Sequence, residues 1–227
     1  NICADVWEEP AAIAAKRAGA QLLLVLNASP YHMNKQQTRY EVVRVRAAET
    51  GLPVIYANQV GGQDELVFDG ASFAMDAAGQ LAHQSGSFSE VIDFIDILGG
   101  VPQPGSVAPK LSLEAEVYQA LVLGVRDYVN KNGFPGVLLG LSGGIDSALT
   151  LAVAADAIGP ERVKAVMMPS QYTAGMSRED ACAQAAALKV RYTEIAIKPM
   201  FEVFLQALAG EFKGLKEDTT EENLQAR

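Results

Sequence analysis

Gly136-Val137-Leu138-Leu139-Gly140-Leu141-Ser142-Gly143-Gly144-Ile145-Asp146-Ser147 decides the fold of the second half of this 227-residue chain. It opens as a short apolar run, the pattern of a buried strand, and closes at the start of a helical segment that reaches Ile158 and stops at Gly159-Pro160. A glycine-rich turn joining a buried strand to a helix N-terminus is a prepared anion site. Its glycines leave successive backbone N–H groups uncovered, and the helix dipole adds partial positive charge. Ser142 and Ser147 can add hydroxyl donors, and the Asp146 carboxylate suits a Mg²⁺ ion bridging phosphate oxygens. The Gly-Lys-Ser/Thr ending of the usual P-loop is missing. From position alone a second reading stands beside this one, a plain turn in which Asp146 and Ser147 cap the helix.

Outward from this loop the pattern alternates between strands and helices. Leu113, Val117, Leu121 and Tyr128 predict a helical stripe before the loop. After it come a strand over 163–168, a helix capped by Ser177 and reaching Leu188, a strand over 192–197 and a helix from Pro199. Thr219 and Glu222 form a capping box for a last helix. Repeated strand–helix units imply a parallel, doubly wound sheet. On the N-terminal side lies Leu98-Gly99-Gly100-Val101-Pro102-Gln103-Pro104-Gly105-Ser106, a Gly/Pro cluster that reads as a linker and divides the chain into residues 1–104 and 105–227.

The first region predicts a strand end at Ile2, a helix from Pro10 to Gly19 and a buried strand over 22–26. A helix over 35–50 stopped by Gly51 and a strand over 54–57 follow. Segments 72–75 and 81–84 flank Asp76-Ala77-Ala78-Gly79 as a hairpin. Parallel-type strands with crossover helices, then antiparallel strands, make a layered α/β domain.

The composition, 49% hydrophobic and 20% charged, is that of a globular protein. A net charge of -9 argues against a nucleic-acid surface, which needs a Lys/Arg excess. No apolar run approaches the roughly 20 residues that span a bilayer, so no membrane partner is expected. Two cysteines far apart, Cys3 and Cys182, point to a reducing cytoplasm rather than a disulfide framework. Cys182 lies in an Ala-rich helix and reads as core. His32 and His83 have no metal-ligand setting and read as loop or surface residues. The chain opens on a strand already under way and stops inside a helix, so it is expected to be an internal piece of a longer protein.

Ser142-Gly143-Gly144-x-Asp146-Ser147 resembles the signature of the ATP-pyrophosphatases, which cleave ATP between the α- and β-phosphates. Met167-Met168-Pro169-Ser170-Gln171-Tyr172-Thr173, Met176-Ser177-Arg178-Glu179-Asp180 and the terminal Thr220-Glu221-Glu222-Asn223-Leu224-Gln225-Ala226-Arg227 resemble the NAD synthetases of that group. Ile2-Cys3-Ala4-Asp5-Val6-Trp7 resembles the nucleophile segment of nitrilase-type amidases as fused to NAD synthetase, and Asn27-Ala28-Ser29-Pro30 resembles the substrate loop after the next strand. Taken together, these stretches resemble the family of the glutamine-dependent NAD synthetases. It implies an α/β chain in which the C-terminal part of a nitrilase-like αββα sandwich is followed by a Rossmann-like, adenine nucleotide alpha-hydrolase-like domain.

The resemblance also implies roles. Cys3 would be the glutaminase nucleophile, with Ser29 and Lys35 holding glutamine. Gly140, Leu141, Ser142, Gly143, Gly144, Ile145, Asp146 and Ser147 would bind ATP, with Met168 beside the adenine. Asp146 would hold Mg²⁺ and Asn223 would meet deamido-NAD. Glu221 and Glu222 read equally well as a charged first helical turn. A homo-oligomer and an ammonia tunnel are further implications. Two departures stand out: Ala4 replaces the glutamate that usually follows the nucleophile, and the general-base Glu and the Lys of the amidase mechanism are expected upstream of Cys3. The rivals are another amidotransferase or adenylating ligase with the same loop, such as a GMP or asparagine synthetase, and a nucleotide-binding regulatory module. Neither synthetase matches Met-Met-Pro-Ser and Glu-Glu-Asn well. A regulatory module would need neither Cys3 nor Asp146.

Overall fold

The computed structural model describes residues 1–171, 173–213, 219, 220 and 223. They fall into two units, Asn1–Lys131 and Asn132–Arg227. In the first, a one-turn 3₁₀ helix over Cys3–Val6 leads to α1 (Glu9–Arg17), β1 (Leu23–Asn27), α2 (Lys35–Thr50) and β2 (Val54–Asn58). The hairpin β3 (Val60–Gln63) and β4 (Leu66–Asp69) follows, then β5 (Phe73–Met75) and β6 (Leu81–Gln84). A ribbon of β7 (Ile97–Leu98) and β8 (Val101–Pro102) precedes α3 (Leu113–Lys131).

The main sheet has the order β1-β2-β5-β6, with β1 and β2 parallel and the later pairs antiparallel. This is the parallel-then-antiparallel order expected from the sequence. α2 ends where Gly51 takes φ +63°, left-handed backbone that glycine adopts without a Cβ penalty. The turn between β5 and β6 is held by Asp76, whose Oδ1 accepts the N–H groups of Ala78 and Gln80. Helices and sheet meet over Val6, Ala12, Leu23, Val25, Val43, Ala47, Leu52, Val54, Tyr56, Phe73 and Met75. Burial of such side chains, at about 25 cal/mol per Å² of apolar area, dominates the stability of this layer. β1 alternates: Leu23, Val25 and Asn27 are buried, whereas Leu24 and Leu26 are 56% and 61% exposed. The run over 22–26 was expected to be covered on both faces; among the described residues only one face is.

Two strand pairs lie where the sequence pattern does not predict them: the β7–β8 ribbon, in and beside the stretch read as a linker, and the hairpin β3–β4. Strand β3, Val-Gly-Gly-Gln, has little β character of its own, and α3 packs directly on it. A Cβ on Gly62 would lie 3.1 Å from the Gly124 Cα, so the two glycines let helix and strand approach closely. Asp127 accepts the Gly62 N–H at 2.8 Å and Lys131 donates to the Gly62 carbonyl at 2.6 Å. The buried face of α3 therefore runs through Ala120 and Leu123, while Leu113, Leu121 and Tyr128 of the expected stripe are exposed. The helix is where the sequence predicts it; its inward face is not.

The second unit contains β9 (Val137–Gly140), α4 (Ile145–Ile158), a 3₁₀ turn over Pro160–Arg162, β10 (Val163–Met167), α5 (Gly175–Ala187), β11 (Arg191–Glu194) and α6 (Lys198–Leu208). The three strands are parallel in the order β11-β10-β9, each joined to the next through a helix. This is a Rossmann-like layout, as the alternation predicts. α5 starts at Gly175 after Ala174, so Ser177 lies inside the first turn and is not the cap. Cys182 is exposed, because α5 turns Ala181 and Ala185 inward instead. Thr219 and Thr220 are helical, as a last helix requires. Glu222 of the predicted capping box, with Glu221 and Tyr172, lies outside the described residues.

Candidate functional site

Chemistry-bearing residues gather at the carboxyl ends of parallel strands in both units, where open α/β sheets bind ligands. In the first unit Ile2 bridges to Leu26 in parallel, and the Leu26 N–H donates to the Asn1 carbonyl at 3.2 Å. The chain thus arrives at Cys3 along β1 and turns there at once. Asp5 makes the turn: its Oδ2 accepts the Ile2 N–H at 2.8 Å, and its own N–H reaches back to the Ile2 carbonyl. Cys3 sits at the bend, exposed, with φ +48°. A left-handed non-glycine residue stores strain, and such strain collects at functional positions.

Ser29 lies two residues beyond β1, on the same edge, and is buried. It is held from two sides. From β2, the Asn58 side chain accepts the Ser29 N–H at 2.9 Å and donates to the Ser29 carbonyl at 3.3 Å. From α2, Arg39 donates to Ser29 Oγ at 3.2 Å and to the Ser29 carbonyl at 2.8 Å. Arg39, 0% exposed, forms a two-pronged ion pair with Asp69 at the end of β4, both contacts at 2.8 Å. Tyr56 lies near this cluster, its hydroxyl buried without a hydrogen-bond partner, and burial pushes its pKa up. Lys35, in the first turn of α2, places its ammonium 4.4 Å from the centroid of the Trp7 ring. The contact anchors Lys35 to the turn that carries Cys3, because Trp7 closes that turn through its N–H to the Ala4 carbonyl.

Sequence reasoning named Cys3, Ser29 and Lys35 as candidates and passed over Arg39, Asn58 and Asp69, which the structure brings into contact with Ser29 or with one another. A signal existed. Arg39 shares the inward stripe of α2 with Val43, Arg46, Ala47 and Thr50, and a guanidinium at a core position demands partners. His83 was read as a surface or loop residue. It is buried in β6, with Nε2 3.0 Å from Asp93, whose carboxyl also accepts from Ser85 Oγ at 2.6 Å. The Ser85 hydroxyl, followed by His83, holds the Asp93 carboxyl below the ordinary carboxylate range.

In the second unit the loop after β9 closes on itself. Leu141 donates to the Val166 carbonyl of β10 at 2.9 Å and buries its side chain there. Ser142 and Ser147 bring their hydroxyls to 3.0 Å, and Ser147 Oγ also takes the Ser142 N–H at 3.2 Å. Gly144 donates to Ser142 Oγ at 3.3 Å and precedes the first residue of α4. Gly143 has φ +81°, and a Cβ there would lie 2.2 Å from the Ser177 carbonyl oxygen. Only glycine fits that position. Ile145 and Asp146 stand exposed in the first turn of α4, and Met168 is exposed just past β10, its Cε 3.5 Å from where a Cβ on Gly140 would be. The loop and Met168 thus share one edge of the sheet. Asn223 is helical and exposed. Among the described residues no three His, Cys, Asp or Glu side chains cluster to hold a metal. A lone carboxylate beside a phosphate loop still fits Mg²⁺, which takes one or two carboxylates and completes its shell with phosphate oxygens and water.

The carbon-nitrogen hydrolase family matches residues 1–97, and the NAD synthase family matches residues 117–227. Along its whole length the chain is 46% identical to a glutamine-dependent NAD(+) synthetase of Acinetobacter baylyi, covering 42% of that protein, and 38% identical to one of Thermotoga maritima, covering 46%. The chain thus spans less than half the length of these relatives. Among solved structures, a glutamine-dependent NAD+ synthetase from Acinetobacter baumannii in complex with ADP superimposes with a TM-score of 0.92 at 45% identity. That match covers 99% of this chain and 43% of the other. One from Cytophaga hutchinsonii, at 19% identity and a TM-score of 0.78 over 100% of this chain and 43% of the other, shares the fold. A strained cysteine on a carbon-nitrogen hydrolase sheet, followed in one chain by an NAD synthase sheet, defines a two-part class. The two parts of the chain match the carbon-nitrogen hydrolase and NAD synthase families, and over its whole length the chain is similar to the glutamine-dependent NAD(+) synthetases.

Proposed function

We propose that the protein containing this chain makes NAD from deamido-NAD, ATP and glutamine. The observation that carries the reading is the pairing, in one chain, of left-handed Cys3 at one sheet edge with the Ser142–Ser147 loop at another. In the first unit the Cys3 thiolate adds to the glutamine side-chain carbonyl; the C–N bond breaks, ammonia leaves, and water then releases glutamate from the thioester. Ser29 and Lys35 hold the glutamine, the lysine ammonium balancing its carboxylate.

In the second unit the loop residues 140–147 bind the ATP phosphates through backbone N–H groups and the two serine hydroxyls. Met168 lies against the adenine, and Asn223 meets deamido-NAD. A carboxylate oxygen of deamido-NAD attacks the α-phosphorus and pyrophosphate leaves. Ammonia then displaces AMP from the adenylate to give the amide. Asp146 would hold Mg²⁺ at this loop, and the ion would supply charge neutralisation to the phosphates. That a relative 45% identical to this chain was solved in complex with ADP supports an adenine nucleotide as ligand. The carbon-nitrogen hydrolase part is assigned to residues 1–104 and the synthetase part to 105–227. The protein works as a cytoplasmic homo-oligomer with small-molecule substrates and no nucleic-acid or membrane partner; among the described residues no helix is long and apolar enough to cross a membrane.

The test is NAD formation by the full-length protein from deamido-NAD, ATP and Mg²⁺, with glutamine or ammonium as nitrogen source. Cys3→Ala is expected to lose the glutamine reaction alone, and Asp146→Ala to lose both. Equal loss of both nitrogen sources on Cys3→Ala would sink the two-site assignment.

A further inference from the structure

We infer that Arg39 and Asn58 are positioning residues of the glutamine site, which set its affinity by clamping Ser29 from opposite sides. The inference rests on the reading of Ser29 as a glutamine ligand and deepens it. Ser29 belongs to neither a strand nor a helix, since β1 ends at Asn27 and α2 begins at Lys35. Its place is therefore set by side chains. Arg39 holds its Oγ and its carbonyl, and also the Pro30 carbonyl at 3.2 Å, while Asn58 takes its N–H and returns a bond to its carbonyl. Each backbone polar group of Ser29 is thus tied to the body of the unit.

Both clamps are themselves fixed. The Arg39 guanidinium is locked by the paired contacts to Asp69 and by Gln36 Oε1 at 3.0 Å. Asn58 also donates to the Gly70 carbonyl at 3.0 Å, and its backbone N–H is held by Ser72 Oγ at 2.9 Å. Asp69 and Gly70 are consecutive, so both clamps return to the end of β4. The arrangement matches a site whose ligand-facing hydroxyl must be held before substrate arrives, because ordering a loop at binding lowers affinity. Arg39 bonds the hydroxyl oxygen as donor, so the Ser29 proton remains available for donation to an acceptor. Among the described residues, the side-chain bonds of both clamps run to Ser29, Pro30, Gln36, Asp69 and Gly70 and none to Cys3, so both are assigned to glutamine binding and not to the chemical step.

The experiment measures NAD formation by the full-length protein carrying Arg39→Lys or Asn58→Ala, with glutamine and with ammonium. Arg39→Lys keeps charge and approximate length but loses the fork that serves Ser29 and Asp69 together. The expected result is a KM for glutamine raised at least about tenfold in each variant, the scale of a lost charge-assisted hydrogen bond, with kcat held within about threefold. The ammonium-supported rate stays within about twofold of the unaltered protein. Combining Arg39→Lys with Ser29→Ala gives less than the product of the separate effects, because both remove the same contact. An unchanged KM in variants that retain the ammonium rate overturns the inference, as does a fall in kcat alone. Loss of both activities in both variants also overturns it, since the residues would then only hold the fold. If the unaltered protein makes NAD from ammonium but not from glutamine, the glutaminase reading fails first and takes this inference with it.

Discussion

Gly143 lies so close to Ser177 that a Cβ on the glycine would come within 2.2 Å of the serine carbonyl oxygen. The loop that leaves β9 and the first turn of α5 are thereby set edge to edge. Gly143→Ala must move one of them and must also hold alanine at φ +81°, which alone costs about 1–2 kcal/mol. The expected outcome is loss of NAD formation with either nitrogen source, together with a lower unfolding midpoint. Gly144→Ala is the contrast: its φ is −89° and its Cβ meets only Ser142 Oγ at 3.4 Å, so its unfolding midpoint should match the parent. Calorimetric scans of the two variants separate these outcomes.

Asp69 balances a guanidinium with no access to water. Asp69→Asn keeps the shape and removes the charge, leaving Arg39 buried and unpaired. Breaking a buried pair from one side costs about 3–5 kcal/mol, far more than losing a surface pair. Denaturant titration should show this loss, whereas Glu202→Gln, which breaks the exposed contact of Lys198 with Glu202 at 3.8 Å, should change stability by less than about 0.5 kcal/mol.

Tyr192 provides a pH signature for the second unit. Partial burial, the hydrogen bond to Glu194 and the charge of that carboxylate push its pKa from 10.0 up to about 12. A raised pKa means the folded state favours the neutral phenol. Its contribution to stability is present in full below pH 10 and is lost as the pH climbs through about 12. Glu194→Gln should bring the phenol's titration back toward 10, as read by phenolate absorbance. An unshifted titration in that variant would remove Glu194 as a cause.

Asp127 and Lys131 grip the same residue, Gly62, with different consequences. Asp127→Ala strands the buried Gly62 N–H and should cost about 1–3 kcal/mol. Lys131→Met removes a half-exposed ammonium from the Gly62 carbonyl and should cost less. Denaturation midpoints that rank the two the other way would contradict this account.

What was legible in the sequence was what local chemistry decides. The loop over 140–147 announced itself by its glycines, α2 by its Gly51 stop, and the β5–β6 turn by Asp76 and Gly79. Cys3 and Met168 were singled out through their places at strand ends, whereas Ser29 and Lys35 were named only through the family resemblance. What stayed hidden depends on partners distant along the chain. β3 is a strand because α3 lies on it, and α3 faces inward through Gly124 because β3 offers Gly62. Arg39 reads as one more basic residue on a helix until Asp69 and Ser29 are seen on either side of it. His83 gives no sign of Asp93, ten residues on in an irregular segment.

The packing of α3 has a consequence for the ancestry and re-use of such a chain. Residues 117–131 match the NAD synthase family, yet the helix they form rests on the hairpin of the hydrolase part. The fusion is therefore a graft and not a tether: a piece of one partner has been taken into the body of the other. A recombinant that exchanges the halves at the Gly/Pro linker would import a helix shaped for a different hairpin. It would present Ala120, Leu123 and Gly124 to a surface without the matching Gly61-Gly62. Exchange after Lys131 keeps helix and hairpin together, which makes the end of α3 the better crossover point.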